Sequence, residues 1–399
     1  MGEGEQQDFE AARLTVRLPA IAANYRTYRR MVGPAAVAAV VKADAYGLGA
    51  ARVVPALVEA GCDSFFVARL EEGIALRKIA PLARIFVLDG ADPDSVPALL
   101  RFSLTPALNS LAQIAAWSAA ARVGRTPLDA VLHVDTGMNR LGLTAEELAT
   151  LAAEQAKRLA GLNPVLVMSH LACADEPQNK MNAQQLSRFR QALAMLPTAP
   201  ASLAASHGAM LGIDYHFDLV RPGVALYGAN PQKPEGRVEP GGAPNLMQTA
   251  AILTAKVLQV RRIDSGESVG YAATFRAKRP SMIATVALGY ADGIPRALAN
   301  KGAAAFAGLR VPIAGRISMD LITLDVSALG EAPHIGADVE LLGDTISLDE
   351  VAQAAGTNEY EILTRLRRVP RRYEGAPATA GATRDGASAT AGATRENHK

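Results

Sequence analysis

Only two cysteines, Cys62 and Cys173, occur in 399 residues, and no metal-ligand spacing joins them. A disulfide scaffold is excluded for a chain of this size, no metal is expected, and a reduced compartment is the simple reading. No apolar run approaches the roughly 20 residues that a membrane span needs. An excess of one charge is also missing. The 41 Lys and Arg against 39 Asp and Glu leave a formal charge of +2, which gives no footprint for nucleic acid. The first residues, Met-Gly-Glu-Gly-Glu-Gln-Gln-Asp, are acidic and polar, unlike a signal peptide. The expectation is a cytoplasmic protein with no membrane or nucleic-acid partner. The basic group Arg365, Arg367, Arg368, Arg371 and Arg372 is short and reads as surface and site-rim charge.

What remains is ordinary for a globular enzyme: 49% hydrophobic and 20% charged residues. The length suggests two domains with a sizeable core. From residue 14 to about 227, short apolar runs alternate with helical patterns. After a leading helix over 19–31, strand candidates end near Lys42, Ala68, Asp89, Ala107, Asp135, His170, Ser206 and Arg221. Helical stretches over 50–60, 70–79, 110–122, 144–159 and 182–196 separate most of them. Eight strands with intervening helices predict a (β/α)8 barrel of TIM type over 14–243, with a doubly wound open sheet as the runner-up. The stretch 231–244 is rich in proline and glycine and reads as a linker. Beyond it, over 244–374, the spacing predicts a mainly β domain, with strands at 249–260, 268–275, 282–289, 309–317, 321–326 and 339–342. It also predicts a helix over 348–355, capped by Ser347. The tail, 375–399, is rich in Ala, Thr and Gly and carries one heptad twice, at 378–384 and 389–395. It is expected to be disordered.

Chemistry concentrates at the strand ends. Lys42 closes the buried run Ala-Val-Ala-Ala-Val-Val and is followed at once by Asp-Ala-Tyr-Gly-Leu-Gly. A lysine at a strand's carboxyl end is partly desolvated, so its pKa falls and it can condense with a carbonyl. His170, Ser206 and Arg221 share that placement, with Asp135 and Arg140 just past the fifth strand. Each alone has a bland explanation: a core histidine, a helix cap, a surface charge. Together at one barrel mouth they point to a site. The glycine-bearing ends of strands seven and eight suit a phosphate, with Ser206, Gly223, Val224 and the Tyr46 hydroxyl as donors.

The run Val-Val-Lys-Ala-Asp-Ala-Tyr-Gly-Leu-Gly around Lys42 resembles the pyridoxal 5'-phosphate lysine motif of bacterial alanine racemases. The resemblance extends to 133–142, 169–175 and 220–228 in the first domain, and to 269–275, 288–293 and 315–320 in the second. It implies that Lys42 carries the cofactor and is the base acting on D-alanine, and that Tyr271 is the opposing base for L-alanine. Arg221 would contact the pyridine nitrogen, and His170 would pack beside the ring and link Tyr271 to Arg221. Arg140 and the Met319 backbone would hold the substrate carboxylate, while Tyr290 and Asp320 would shape the entrance. The implied assembly is a homodimer with shared sites, acting on L- and D-alanine and supplying D-alanine for peptidoglycan. Racemisation needs a proton removed from one face of Cα and returned on the other, so two flanking bases make chemical sense.

Two departures from the family stand out. His133 occupies a position where members often have a lysine, carbamylated in some. A histidine forms no lasting carbamate, so Arg140 must be oriented otherwise, for example by a bound anion. Arg367 stands before Arg368-Val369-Pro370-Arg371, where the family commonly has tyrosine, which opens the question of strict alanine specificity. A broader amino-acid (serine) racemase and a non-catalytic pyridoxal-phosphate-binding protein are the competing readings. A second base at Tyr271 argues against the latter.

Overall fold

The computed structural model describes residues 10–233 and 244–375. The acidic start, most of the expected linker and nearly all of the expected tail lie outside them.

Seven parallel strands pair in chain order: Ala39–Val40, Ser64–Val67, Arg84–Val87, Thr105–Leu108, Leu128–His133, Leu162–Met168 and Ala201–Ser202. Ala36–Val37, one residue ahead of the first, pairs in parallel with Leu219–Val220. That last strand meets the seventh through the Ala205–Arg221 bridge and a 3.0 Å bond from Asp218 N to Ala201 O. The sheet therefore curls round and closes as a barrel. Strands covered on both faces have no use for alternation, and Ser64–Val67 is buried at every position. Helices Ala50–Glu59, Leu70–Ile79, Val96–Arg101, Leu111–Gly124, Ala145–Ala153 and Lys180–Met195 cover the outside. The helix expected over 144–159 breaks at Glu154, and Gln155–Arg158 forms a separate turn.

The second domain is mainly β. Its long strand Ala251–Ile263 pairs antiparallel with Ser281–Val286 and with Asp338–Leu342. Its third partner is Ala12–Arg17, which also pairs in parallel with Arg371–Glu374. The first strand of the chain thus lies in the second sheet, although its sequence position groups it with the barrel. Helix Leu348–Ala355 starts as expected, with Ser347 Oγ accepting from Glu350 N at 3.2 Å. A further helix, Glu359–Arg365, follows it. That helix leans on the barrel mouth of its own chain. A Cβ on Gly47 would meet Leu363 O at 2.9 Å, and the Tyr46 and Tyr360 rings lie 5.8 Å apart. Among the described residues, no helix is long and apolar enough to cross a membrane.

Candidate active site

Lys42 leaves the first barrel strand at its carboxyl end and enters a turn of unusual backbone. Ala43, Asp44, Ala45 and Tyr46 all have φ between 53° and 57°. Left-handed backbone costs an L-residue with a Cβ about 1–2 kcal/mol, so four in a row need support. Ala43 N donates to Glu72 Oε1 at 2.6 Å, and Ala50 N donates to Asp44 Oδ1 at 2.8 Å. Arg371, from the second domain, pairs with Asp44 Oδ2 at 3.1 Å. The result fixes Lys42 and Tyr46 on one cavity of about 610 Å³. Burial, and then the Arg140 charge, lower the Lys42 pKa, against the opposing pull of Glu72 and Asp89.

Ser206, Gly223 and Val224 line the same cavity. Gly223 N and Ala225 N both donate to Ser206 Oγ, at 2.9 and 3.4 Å. Tyr28, buried beneath, holds the Ser206 carbonyl with a 3.0 Å hydroxyl bond. Backbone N–H groups, a serine hydroxyl and the Tyr46 phenol thus come together at a glycine-bearing strand end, an arrangement suited to an anion. Arg221 is buried next to it. Its Nε donates to Ser202 Oγ at 2.8 Å, and its Nη2 donates to the Ser169 and Leu203 carbonyls. Nη1 has only the Met168 sulfur, at 3.8 Å, leaving donor capacity toward the cavity. Burial lowers the Arg221 pKa to about 10, which leaves the guanidinium charged at neutral pH.

His133, Arg140 and His170 also line the mouth. The Arg140 loop is organised by Asp135, whose carboxylate accepts from the Gly137, Met138 and Asn139 amides. Asp135 is therefore a loop builder. Burial lowers the His170 pKa well below its ordinary value, with Arg221 and Arg140 acting in the same direction. His133 is lowered to about 3 by the same causes. Among the other lining residues, none of them assigned from the sequence, are Asp89, His207, Asn358 and Tyr360.

The second group sits elsewhere. Tyr271, Tyr290 and Met319 line an open depression of about 680 Å³ on the second domain, together with Ile317, Ser318, Arg296 and Arg365. Tyr271 is 70% exposed and Met319 55%. The stretch expected as one strand over 268–275 is two strands of two residues each, around a turn at Tyr271–Ala273. Gly270, Ala272 and Ala273 take positive φ there, which lifts Tyr271 out of the sheet. Tyr290 N and Ala291 N bond to the Ser318 and Met319 carbonyls, tying these two loops together. Gly289 is required at this crossing, because a Cβ would stand 2.1 Å from Met319 O. Asp320 is exposed and does not line the depression. Within one chain, Lys42 and Tyr271 therefore face different cavities, and so do His170 and Tyr271. Arg367 is exposed on the turn Leu366–Arg368 and lines neither. A different tyrosine, Tyr360, lines the barrel mouth.

An amine of lowered pKa, a strand end suited to an anion and a buried arginine share the mouth of a (β/α)8 barrel, followed by a β domain, and define a two-domain α/β-barrel protein. Residues 16–231 match the alanine racemase N-terminal domain, and residues 250–373 match the alanine racemase C-terminal domain. The chain belongs to the alanine racemase family. It is 49% identical over 380 residues to an alanine racemase of Rhodospirillum rubrum, covering 94% of this chain and 99% of that one. It is 48% identical to a catabolic alanine racemase of Agrobacterium fabrum, with 93% and 94% covered. Among solved structures, the Bartonella henselae alanine racemase, which has covalently bound pyridoxal phosphate, superimposes with a TM-score of 0.85 at 40% identity. That match covers 91% of this chain and 99% of the other.

Proposed function

We propose that the protein is a pyridoxal-phosphate-dependent alanine racemase that interconverts L- and D-alanine by two-base chemistry. The observation that carries this reading is the sharing of one cavity by Lys42, Arg221 and the Ser206–Gly223–Tyr46 cradle. These residues fit the cofactor. The cavity of about 610 Å³ falls in the range of roughly 300–1,000 Å³ usual for small-molecule sites. Lys42 Nζ would hold the group covalently, the cradle would take its phosphate, and Arg221 Nη1 would offer a hydrogen bond to the ring nitrogen. When bound, the cofactor supplies an electron sink that acidifies the substrate Cα–H bond.

The rest is work for the chain's own side chains. Burial raises the neutral fraction of the Lys42 amine, which prepares Nζ to accept the Cα proton on one face. The Tyr271 hydroxyl would exchange the proton on the opposite face. Arg140 would hold the substrate carboxylate, with the Met319 backbone as a second contact and Tyr290 and Asp320 at the entrance. Arg221 keeps its proton and so offers a donor without protonating what it touches.

Because Tyr271 and Met319 are exposed on their own chain and line a different cavity from Lys42, the complete site would be assembled between two copies. The barrel mouth of one copy would receive the Tyr271 loop of the other in an isologous dimer. A cytoplasmic enzyme supplying D-alanine for peptidoglycan is the cellular role that fits this chemistry. The test is direct. Incubation of L-alanine with the purified protein should bring its circular dichroism to zero, and borohydride should fix the cofactor's mass on Lys42. Reduction labelling another lysine, or an unchanged signal, would overturn the reading.

A further inference from the structure

Glu72 is a half-buried residue in the first turn of helix Leu70–Ile79. A carboxylate at such a place ordinarily caps its own helix. Glu72 does so with Oε2, which accepts from Arg69 N at 3.1 Å and from Ala68 N at 2.8 Å. Its other oxygen leaves the helix. Oε1 reaches back 29 positions, to the end of another barrel strand, and accepts from Ala43 N at 2.6 Å. One carboxylate thus straddles the carboxyl ends of two adjacent strands, Ala39–Val40 and Ser64–Val67, which pair in parallel. Three amides converge on two oxygens, and only the ionised side chain offers two oxygens that both accept.

Ala43 follows Lys42 directly and is the first of the four left-handed residues. On the other side of Lys42, Val41 N donates to the Phe66 carbonyl at 2.9 Å. The lysine's backbone is therefore pinned on both flanks to the neighbouring strand and its helix. The bonds of Ala45 N to the Val41 carbonyl and of Gly47 N to the Ala43 carbonyl stay within the turn. They shape it without aiming it. We infer that Glu72 is a positioning residue for Lys42: by holding Ala43 N across the two strand ends, it fixes the left-handed turn and so the direction in which the lysine side chain enters the cavity. Its charge acts on the same amine. With Asp89, it opposes the lowering of the Lys42 pKa by burial and Arg140. This inference rests on the proposed role of Lys42 as the base acting on D-alanine.

The test compares two variants with the wild-type holoenzyme. Glu72→Gln keeps the shape but turns one acceptor into a donor, set against either Ala43 N or the Ala68 and Arg69 amides. Glu72→Asp keeps the charge and can still cap its helix, but it is a methylene too short to span to Ala43. In hydrogen–deuterium exchange read by mass spectrometry, both should exchange the segment 42–49 at least about tenfold faster, the scale of a lost hydrogen bond to a charged group. The segment 111–124 should exchange as in the wild type. Exchange of the α-proton of D-alanine with deuterated solvent should slow roughly 10- to 100-fold in both variants. Exchange from L-alanine should slow less, and kcat should change more than KM. Glu71→Gln, which removes an exposed charge paired with Arg69, should match the wild type throughout. Wild-type protection of 42–49 in both Glu72 variants, or equal slowing for the two enantiomers, would reduce Glu72 to a helix cap. Wild-type behaviour of Glu72→Asp, or the same losses in Glu71→Gln, would hand the effect to charge alone and overturn the inference. Should Glu72→Gln not fold, Glu72→Asp decides by the same readouts. Absence of racemisation by the wild type would sink the functional reading, while exchange of 42–49 would still decide whether Glu72 holds the turn.

Discussion

Gly223 and Tyr46 approach so closely that a methyl group on the glycine would stand 2.2 Å from the phenol oxygen. The φ of Gly223 is −126°, so no left-handed backbone is involved, and the phenol leaves no room for a Cβ there. Gly223→Ala should push the Tyr46 hydroxyl off the cradle. Overpacking of this kind costs about 1–3 kcal/mol, so pyridoxal phosphate should be retained roughly 5- to 150-fold more weakly. Equilibrium dialysis measures this, and unchanged retention would mean that the cradle does not hold the phosphate.

Tyr271→Phe removes one hydroxyl and keeps the ring. Exchange of the α-proton of L-alanine with deuterated solvent should collapse by orders of magnitude, while exchange from D-alanine survives in part, because Lys42 is untouched. Proton NMR follows both. Equal loss for both enantiomers would contradict separate roles for the two bases.

Lys42 and Tyr271 line different cavities of one chain. A Lys42→Ala chain mixed with a Tyr271→Phe chain should therefore regain activity once subunits exchange. Random pairing makes half the dimers mixed, and each mixed dimer has one intact site, so recovery should approach about a quarter of wild type. No recovery would mean that a single chain supplies both residues.

His133 is held down to about 3, and His170 lower than its ordinary value, both mainly by burial. The unfolded chain protonates such groups near pH 6.5. Below that pH the unfolded state binds more protons than the folded one, so their contribution is full above about 6.5 and is lost as the pH falls. The melting temperature should drop between pH 7.5 and 5.5, and His133→Gln should drop less. Identical slopes would show that His133 is not held neutral.

Most of the barrel site was legible because each chemical residue follows a run of branched or small apolar residues. Lys42 after Val40-Val41 and Arg221 after Leu219-Val220 are of this kind, and the helix at Leu70–Ile79 falls on the expected residues. The misses have physical causes. Ala12–Arg17 reads as a strand wherever it sits, and only its hydrogen bonds to Ala251–Ile263 reveal its sheet. Helix Glu359–Arg365 adjoins the arginine-rich run, which masks its pattern and with it the place of Tyr360 at the barrel mouth. Tyr271 was recognised by motif, but its turn depends on positive φ at two alanines, which no propensity foretells. Asn109 could not be linked to His133 across 24 positions without the closed barrel.

The pairing of Ala12–Arg17 also sets an order of events at the ribosome. Leu14 is hydrogen-bonded in register with Leu253 on one side and Arg371 on the other. At a synthesis rate of roughly 5–20 residues per second, the last of these partners emerges tens of seconds after the first strand. In that interval the barrel segment can close on its own, while the first strand waits with both edges unpaired, as a template for any passing strand. The final sheet then works as a clasp: its completion ties the beginning of the chain to its end. Loss of the chain up to Arg17 would cost the second domain a strand, while the barrel that follows in sequence would keep all of its own.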